Sequence, residues 1–105
     1  MATPYRHRMS IPAFNSDRTR RMAGVHERRA QKAGVKCDRI DIGRFYHQRR
    51  GICGVCRQPV DFDTFTIDHI RPIAKGGAHS LWNIQLAHVS CNSSKDGSLP
   101  ASLSA

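Results

Sequence analysis

Cys53 and Cys56 stand two residues apart, and after 31 intervening residues His88 and Cys91 repeat that spacing. Each pair places two soft donors on one tight turn, and the two pairs together supply the four ligands of a tetrahedral Zn²⁺. With every position filled by protein, no coordination site stays open for water or substrate, so the ion serves as a structural clamp. Four cysteines could instead form a disulfide framework, and a CxxC could be a redox pair. A thiol-reducing compartment argues against the first, and the lack of a surrounding βαβ pattern argues against the second. The clamp answers a need of size, because a chain of 105 residues buries too little apolar surface for a large core. Structural zinc supplies on the order of 10 kcal/mol of apparent folding free energy. Cys37 lies outside both pairs and is expected to pack as a small apolar residue.

Between the ligand pairs run Asp68-His69-Ile70-Arg71-Pro72, Lys75-Gly76-Gly77 and Asn83-Ile84-Gln85-Leu86, and Asn92 and Lys95 follow the last ligand. The ordered set CxxC, DHIxP, KGG, WNIQLAH and CNxxK resembles the HNH endonucleases over about residues 38–97. The resemblance implies a small α+β fold, the ββα-metal (His-Me finger) core, stapled here by zinc and preceded by basic helices. It further implies metal-dependent hydrolysis of DNA phosphodiester bonds to a 3′-hydroxyl and a 5′-phosphate, by nicking or by double-strand cleavage. His69 would be the first letter of the motif and the general base, Asn83 the second and Asn92 the third. Asp68 and Asn92 would hold one catalytic divalent cation.

That chemistry needs a deprotonated water in line with the leaving oxygen and a cation to neutralise charge on the phosphate. A histidine titrating near ~6.5 can take the proton, and a carboxylate with an amide oxygen makes a hard, partly open site. Many family members end the motif with histidine; the HNN pattern here favours Mg²⁺ or Mn²⁺ over softer Ni²⁺ or Zn²⁺. His88 likewise replaces a cysteine common at that zinc position. Asn83 has no useful pKa but can bridge the backbone on either side of a hairpin loop, and so hold His69 in line. Lys95 is either a phosphate contact or a solvated helix end. One geometric tension follows from strand alternation: Asp68 and His69 would point to opposite faces, unless a bulge or a strand end intervenes.

The elements that must position these groups are legible as patterns. Residues 1–17, with Pro4 and Pro12, read as a mobile basic arm, and residues 18–37 as a basic helical extension interrupted by Gly24 and Gly34. Asp38 can cap a second helix with Ile42, Phe45, Tyr46 and Arg49 at helical spacing, ending at Gly51. The nuclease domain spans 38–97, with TFTIDHI and NIQLAH as hairpin strands around the KGGAHS loop and VSCNSSKD as a short helix. Residues 98–105 read as a disordered tail. His79 is expected on an exposed loop, Trp82 against the zinc lobe, Arg71 and Lys75 at the surface, and His7, His26 and His47 carry no role.

Charge bounds the partners. Lys and Arg outnumber Asp and Glu 17 to 8, a net charge of +9, which is the footprint of a polyanion binder. Residues 1–57 hold 14 basic and 4 acidic side chains and residues 58–105 hold 3 and 4, so the anchor and the chemistry are separate. Arg28, Arg29, Arg49 and Arg50, with Lys95, are the expected nucleic-acid contacts. No apolar run approaches a membrane span and no signal-peptide core follows the N-terminus, which points to a cytoplasmic protein. Resemblance to small free-standing phage-encoded members suggests the phage DNA-packaging terminase as a partner. A non-catalytic zinc-stabilised nucleic-acid-binding module explains charge and clamp equally well. Asp68-His69 with Asn92 favours the nuclease, since a binder has no use for an acid beside a phosphate.

Overall fold

The computed structural model describes residues 16–95, except for the side chain of Lys95. The expected basic arm, apart from its last two residues, and the expected tail lie outside the described residues, as does His7. Three helices and one hairpin follow in the order α1 (Asp17–Ala33), α2 (Ile42–Gln48), β1 (Thr66–His69), β2 (Ile84–Ala87) and α3 (Val89–Lys95). Short 3₁₀ turns at Ile73–Lys75 and Leu81–Asn83 interrupt the connection between the strands. The result is a small α+β fold consistent with the ββα-metal architecture.

Helix α1 starts where a capping box permits it. The Ser16 hydroxyl accepts from the Thr19 amide at 3.1 Å while the Ser16 amide donates to the Thr19 hydroxyl at 2.7 Å. Ser16 and Asp17 therefore belong to the helix and not to the arm. The helix stops at Gly34, whose φ of 73° is left-handed and closes the last turn, so residues 35–37 of the expected extension are not helical. Thr19, His26 and Ala30 form its buried face, with Met22 and Ala23 against the core. The Arg18 guanidinium lies over the Phe65 ring at 5.2 Å and donates to the Phe62 and Phe65 carbonyls, tying the helix to a loop far along the chain.

Helix α2 is capped by Asp41, whose carboxylate accepts from the Arg44 amide at 3.0 Å. Asp38 was the expected cap, but its amide donates to the His79 carbonyl and the His79 amide donates to the Lys36 carbonyl. Residues 36–38 are thus extended beside the KGGAHS loop and cannot enter a helix. Ile42, Phe45 and Tyr46 are buried as their spacing requires, and Arg44, Arg49 and Arg50 are exposed. They join Ile40, Val60, Phe65, Ile67, Ile84, Leu86 and Cys53 in one core. The Tyr46 hydroxyl donates to the Val60 carbonyl at 2.6 Å, so the one polar group on that ring is satisfied.

The strands pair antiparallel without a bulge, from Thr66 opposite Ala87 to His69 opposite Ile84. Only Thr66–His69 of the expected longer strand is extended, because Thr64 and Phe65 close a turn onto the Asp61 carbonyl. Gly77 answers a close approach: a Cβ there would collide with the Arg71 carbonyl, and its amide donates to the Pro72 carbonyl at 2.9 Å. The KGG motif therefore lets the loop fold back on itself and returns the chain to the strand end.

Candidate active site and metal centre

The CxxC turn and the start of α3 bring Cys53, Cys56, His88 and Cys91 together, with all four ligand atoms within 4.8 Å of one another. The His88 Nε2 faces the Pro59 carbonyl at 3.0 Å; a carbonyl only accepts, so Nε2 carries the proton and Nδ1 is left as the donor atom. The Cys56 and Cys91 sulfurs stand 3.4 and 3.6 Å from that Nδ1. Sulfur and nitrogen ligands of one tetrahedral Zn²⁺ stand ~3.5 Å apart. Burial would raise the Cys53 thiol, but the backbone amides of Cys56, His88 and Val55 and the His88 ring bring it down to about 6. Burial and the neighbouring Cys56 and Cys53 push Cys91 up to about 11. One thiolate is favoured and the next resists ionising beside it, which is the electrostatic demand of a donor set built for a cation. The cluster fits one Zn²⁺; Cys37 lies outside it, half-buried, with its sulfur toward the Glu27 carbonyl.

Helix α1 and strand β1 wall a cleft of about 790 Å³. Asp68, His69 and Asn92 line it together, with His26, Arg29 and Lys32 facing them from α1. Asp68 and His69 both line this cleft although they are consecutive residues of β1, with no bulge between them and His69 still paired with Ile84. Asp68 is buried, and its Oδ2 accepts from the Gln85 side chain directly across the hairpin at 2.8 Å.

Asn83 is the bridge its chemistry suggests. Its Oδ1 accepts from the Arg71 amide at 2.9 Å, and its Nδ2 donates to the Arg71 and Ala78 carbonyls at 3.0 and 2.7 Å. Three backbone groups on both sides of the loop are thereby held by one side chain, two residues beyond His69.

Two expectations fail around this clamp, those for His79 and Trp82, and His26 joins the same cluster. His79 is fully buried, not exposed, because its backbone is bonded to residues 36–38 and its ring turns inward, its Nδ1 standing 3.0 Å from His69 Nε2. His26 is buried too: its ring meets His69 edge-on at 5.0 Å and stacks on His79 at 5.8 Å. Burial first, then the two neighbouring rings, bring His26 down to about 3, so it is neutral near pH 7. Trp82 packs against nothing that covers it and is 69 % exposed. A signal for His26 was present, since Thr19, Ala23, His26 and Ala30 share one helical face. Nothing local marks His79.

The expected basic contacts do not converge. Arg29 lines the cleft, Arg49 lines a separate groove beside Trp82, and Arg28 and Arg50 are exposed and line neither. Arg71 and Lys75 are at the surface as expected, the Arg71 guanidinium donating to the Lys75 carbonyl at 2.8 Å. The Lys95 side chain lies outside the described residues. Among the described residues no helix is long and apolar enough to cross a membrane.

No curated protein matches the chain. The family model of the HNH endonucleases matches residues 53–97, from the first zinc-cluster cysteine to just beyond α3, and takes in Asp68, His69, Asn83 and Asn92. Over residues 53–97 the chain is thus similar to the HNH endonuclease domain.

Proposed function

We propose that the protein is a metal-dependent endonuclease that hydrolyses DNA phosphodiester bonds, with His69 as general base. One observation carries this reading: Asp68, His69 and Asn92, 24 residues apart at their extremes, line a single cleft with Arg29 and Lys32 opposite. The cationic wall draws a phosphate toward the strand end, where electrostatic attraction is strengthened by low-dielectric surroundings. His69 accepts a proton from the attacking water, which needs the imidazole neutral near pH 7. Asn83 holds the loop that fixes His69, and Gln85 holds the Asp68 carboxylate. Asp68 and Asn92 offer hard oxygen donors that fit Mg²⁺ or Mn²⁺, which when bound neutralises charge developing on the phosphate. The zinc cluster takes no part in the chemistry, since all its donors come from protein. Among the described residues the cleft offers no base-reading set, so weak sequence preference and strongly salt-dependent affinity are expected.

The test is cleavage of supercoiled plasmid with Mg²⁺, Mn²⁺ or EDTA by the wild type and by His69→Ala, after both are shown to hold one zinc. Metal-dependent relaxation or linearisation, lost in the folded variant, supports the reading and separates nicking from double-strand cleavage. Plasmid that is retarded but stays intact with every metal rejects it in favour of a zinc-stabilised binding module.

A further inference from the structure

Outside the catalytic cleft, Trp82, Leu81 and Ile70 stand 69 %, 50 % and 50 % exposed. Single exposed apolar residues need no explanation, but these three line one groove of about 360 Å³ together with Arg49 and Arg57. Among the described residues no carboxylate lines that groove. Arg57 adopts a left-handed φ of 67°, a conformation that glycine or asparagine would take at lower cost, and its amide is tied to the Cys53 carbonyl at 2.9 Å.

The patch is rigidly joined to the active site. Ile70 follows His69 and its amide donates to the Asn83 carbonyl at 2.8 Å; Trp82 precedes Asn83 within a 3₁₀ turn closed by the Asn83 amide on the Ser80 carbonyl. One residue, Asn83, is therefore tied through its backbone to the neighbours of both His69 and Trp82. A surface that is apolar at its tip, carries two guanidinium groups and, among the described residues, holds no acid complements a polyanion that also presents flat apolar faces. A nucleic acid has both, because bases stack on an indole while phosphates meet arginine. A protein partner would be expected to meet acids as well as bases on such a surface.

We propose that Trp82, supported by Leu81 and Ile70, is a base-contacting wedge. It stacks on nucleobases of the same nucleic acid whose phosphate enters the His69 cleft, while Arg49 and Arg57 hold flanking phosphates. The inference rests on the nucleic-acid reading above and adds a second contact surface, separate from the cleft.

Trp82 is the sole tryptophan of the chain, so its fluorescence reports on this surface alone. The experiment uses the full-length, zinc-loaded His69→Ala protein, which binds without cutting, titrated at fixed low salt with a duplex and with a single strand. Binding is read in parallel from the anisotropy of labelled DNA and from indole emission with unlabelled DNA. The expected result is indole quenching that saturates with the anisotropy. Adding Trp82→Ala should weaken binding about tenfold, and Trp82→Phe should restore most of it. Anisotropy that saturates while Trp82 emission stays constant, with Trp82→Ala binding as tightly as its parent, overturns the wedge and leaves the endonuclease reading standing. A Trp82-dependent dimer seen by sedimentation, with no DNA-induced quenching, overturns it in favour of a self-association surface. Absence of any DNA binding overturns it as well, and plasmid cleavage by the wild type then shows whether the endonuclease reading falls with it.

Discussion

Replacing Asn83 by aspartate alters one group's hydrogen-bonding capacity and almost none of its volume. The Asn83 side chain is buried, at 3 % exposure, and its Nδ2 donates to the carbonyls of Arg71 and Ala78 while its Oδ1 accepts from the Arg71 amide. Aspartate keeps the acceptor but turns both donor contacts into oxygen facing oxygen, and places a charge where solvent is scarce. Each lost hydrogen bond costs about 1 kcal/mol net, and each buried carbonyl left without a donor costs more. The sum is roughly 3–5 kcal/mol, large beside the stability of a small domain. At 4–8 °C per kcal/mol for a domain of this size, the melting temperature should fall by roughly 15 °C or more. Because the clamp joins the chain just after His69 to the residue before His79, cleavage should fall on the order of 100-fold even in the fraction that remains folded. The assay is thermal unfolding by circular dichroism of zinc-loaded protein, with plasmid cleavage on the same sample. Asn83→Ala leaves all three backbone groups without a side-chain partner but adds no repulsion, so Asn83→Asp should be the more damaging of the two. An aspartate variant that melts within a few degrees of wild type and cuts at the wild-type rate would refute the clamp.

His79→Ala should lower the cleavage rate constant while leaving DNA affinity unchanged, because the His79 ring bonds His69 Nε2 and does not line the cleft; equal loss in both quantities would show a general structural defect. Stripping zinc with a strong chelator should unfold the domain, since the metal supplies on the order of 10 kcal/mol that a core this small does not; unchanged circular dichroism at zero zinc content would contradict that. A third expectation concerns acid. Histidine in the unfolded chain titrates near ~6.5, and folded His26 near about 3. The unfolded chain therefore binds the proton first, and the His26 contribution is complete above the unfolded value and lost as pH falls toward the folded one. His26→Phe should lose stability less steeply than wild type between about pH 6.5 and 4.5, with the zinc ligands and His79 titrating alike in both; identical slopes in urea denaturation would disprove it.

What the amino-acid sequence determined here is whatever depends on residues a few positions apart. Two donors separated by two residues make half a zinc site in any compact fold, so Cys53, Cys56, His88 and Cys91 were legible from spacing. The buried face of α2 follows from the period of Ile42, Phe45 and Tyr46, and Asn83 as a backbone bridge follows from amide chemistry at a loop end. Tertiary structure alone decided the company that His69 keeps. His26 arrives on a helix 43 residues earlier, and His79 turns inward because residues 36–38 pair with its backbone. The helix that was expected to start at Asp38 yields to that same pairing. Likewise only the fold brings Asp68, His69 and Asn92 to one cleft, with Arg29 lining it while Arg49 lines a separate groove with Trp82. Each of these depends on distant segments meeting, and side-chain periodicity within one segment carries no information about which partner another segment will bring to it.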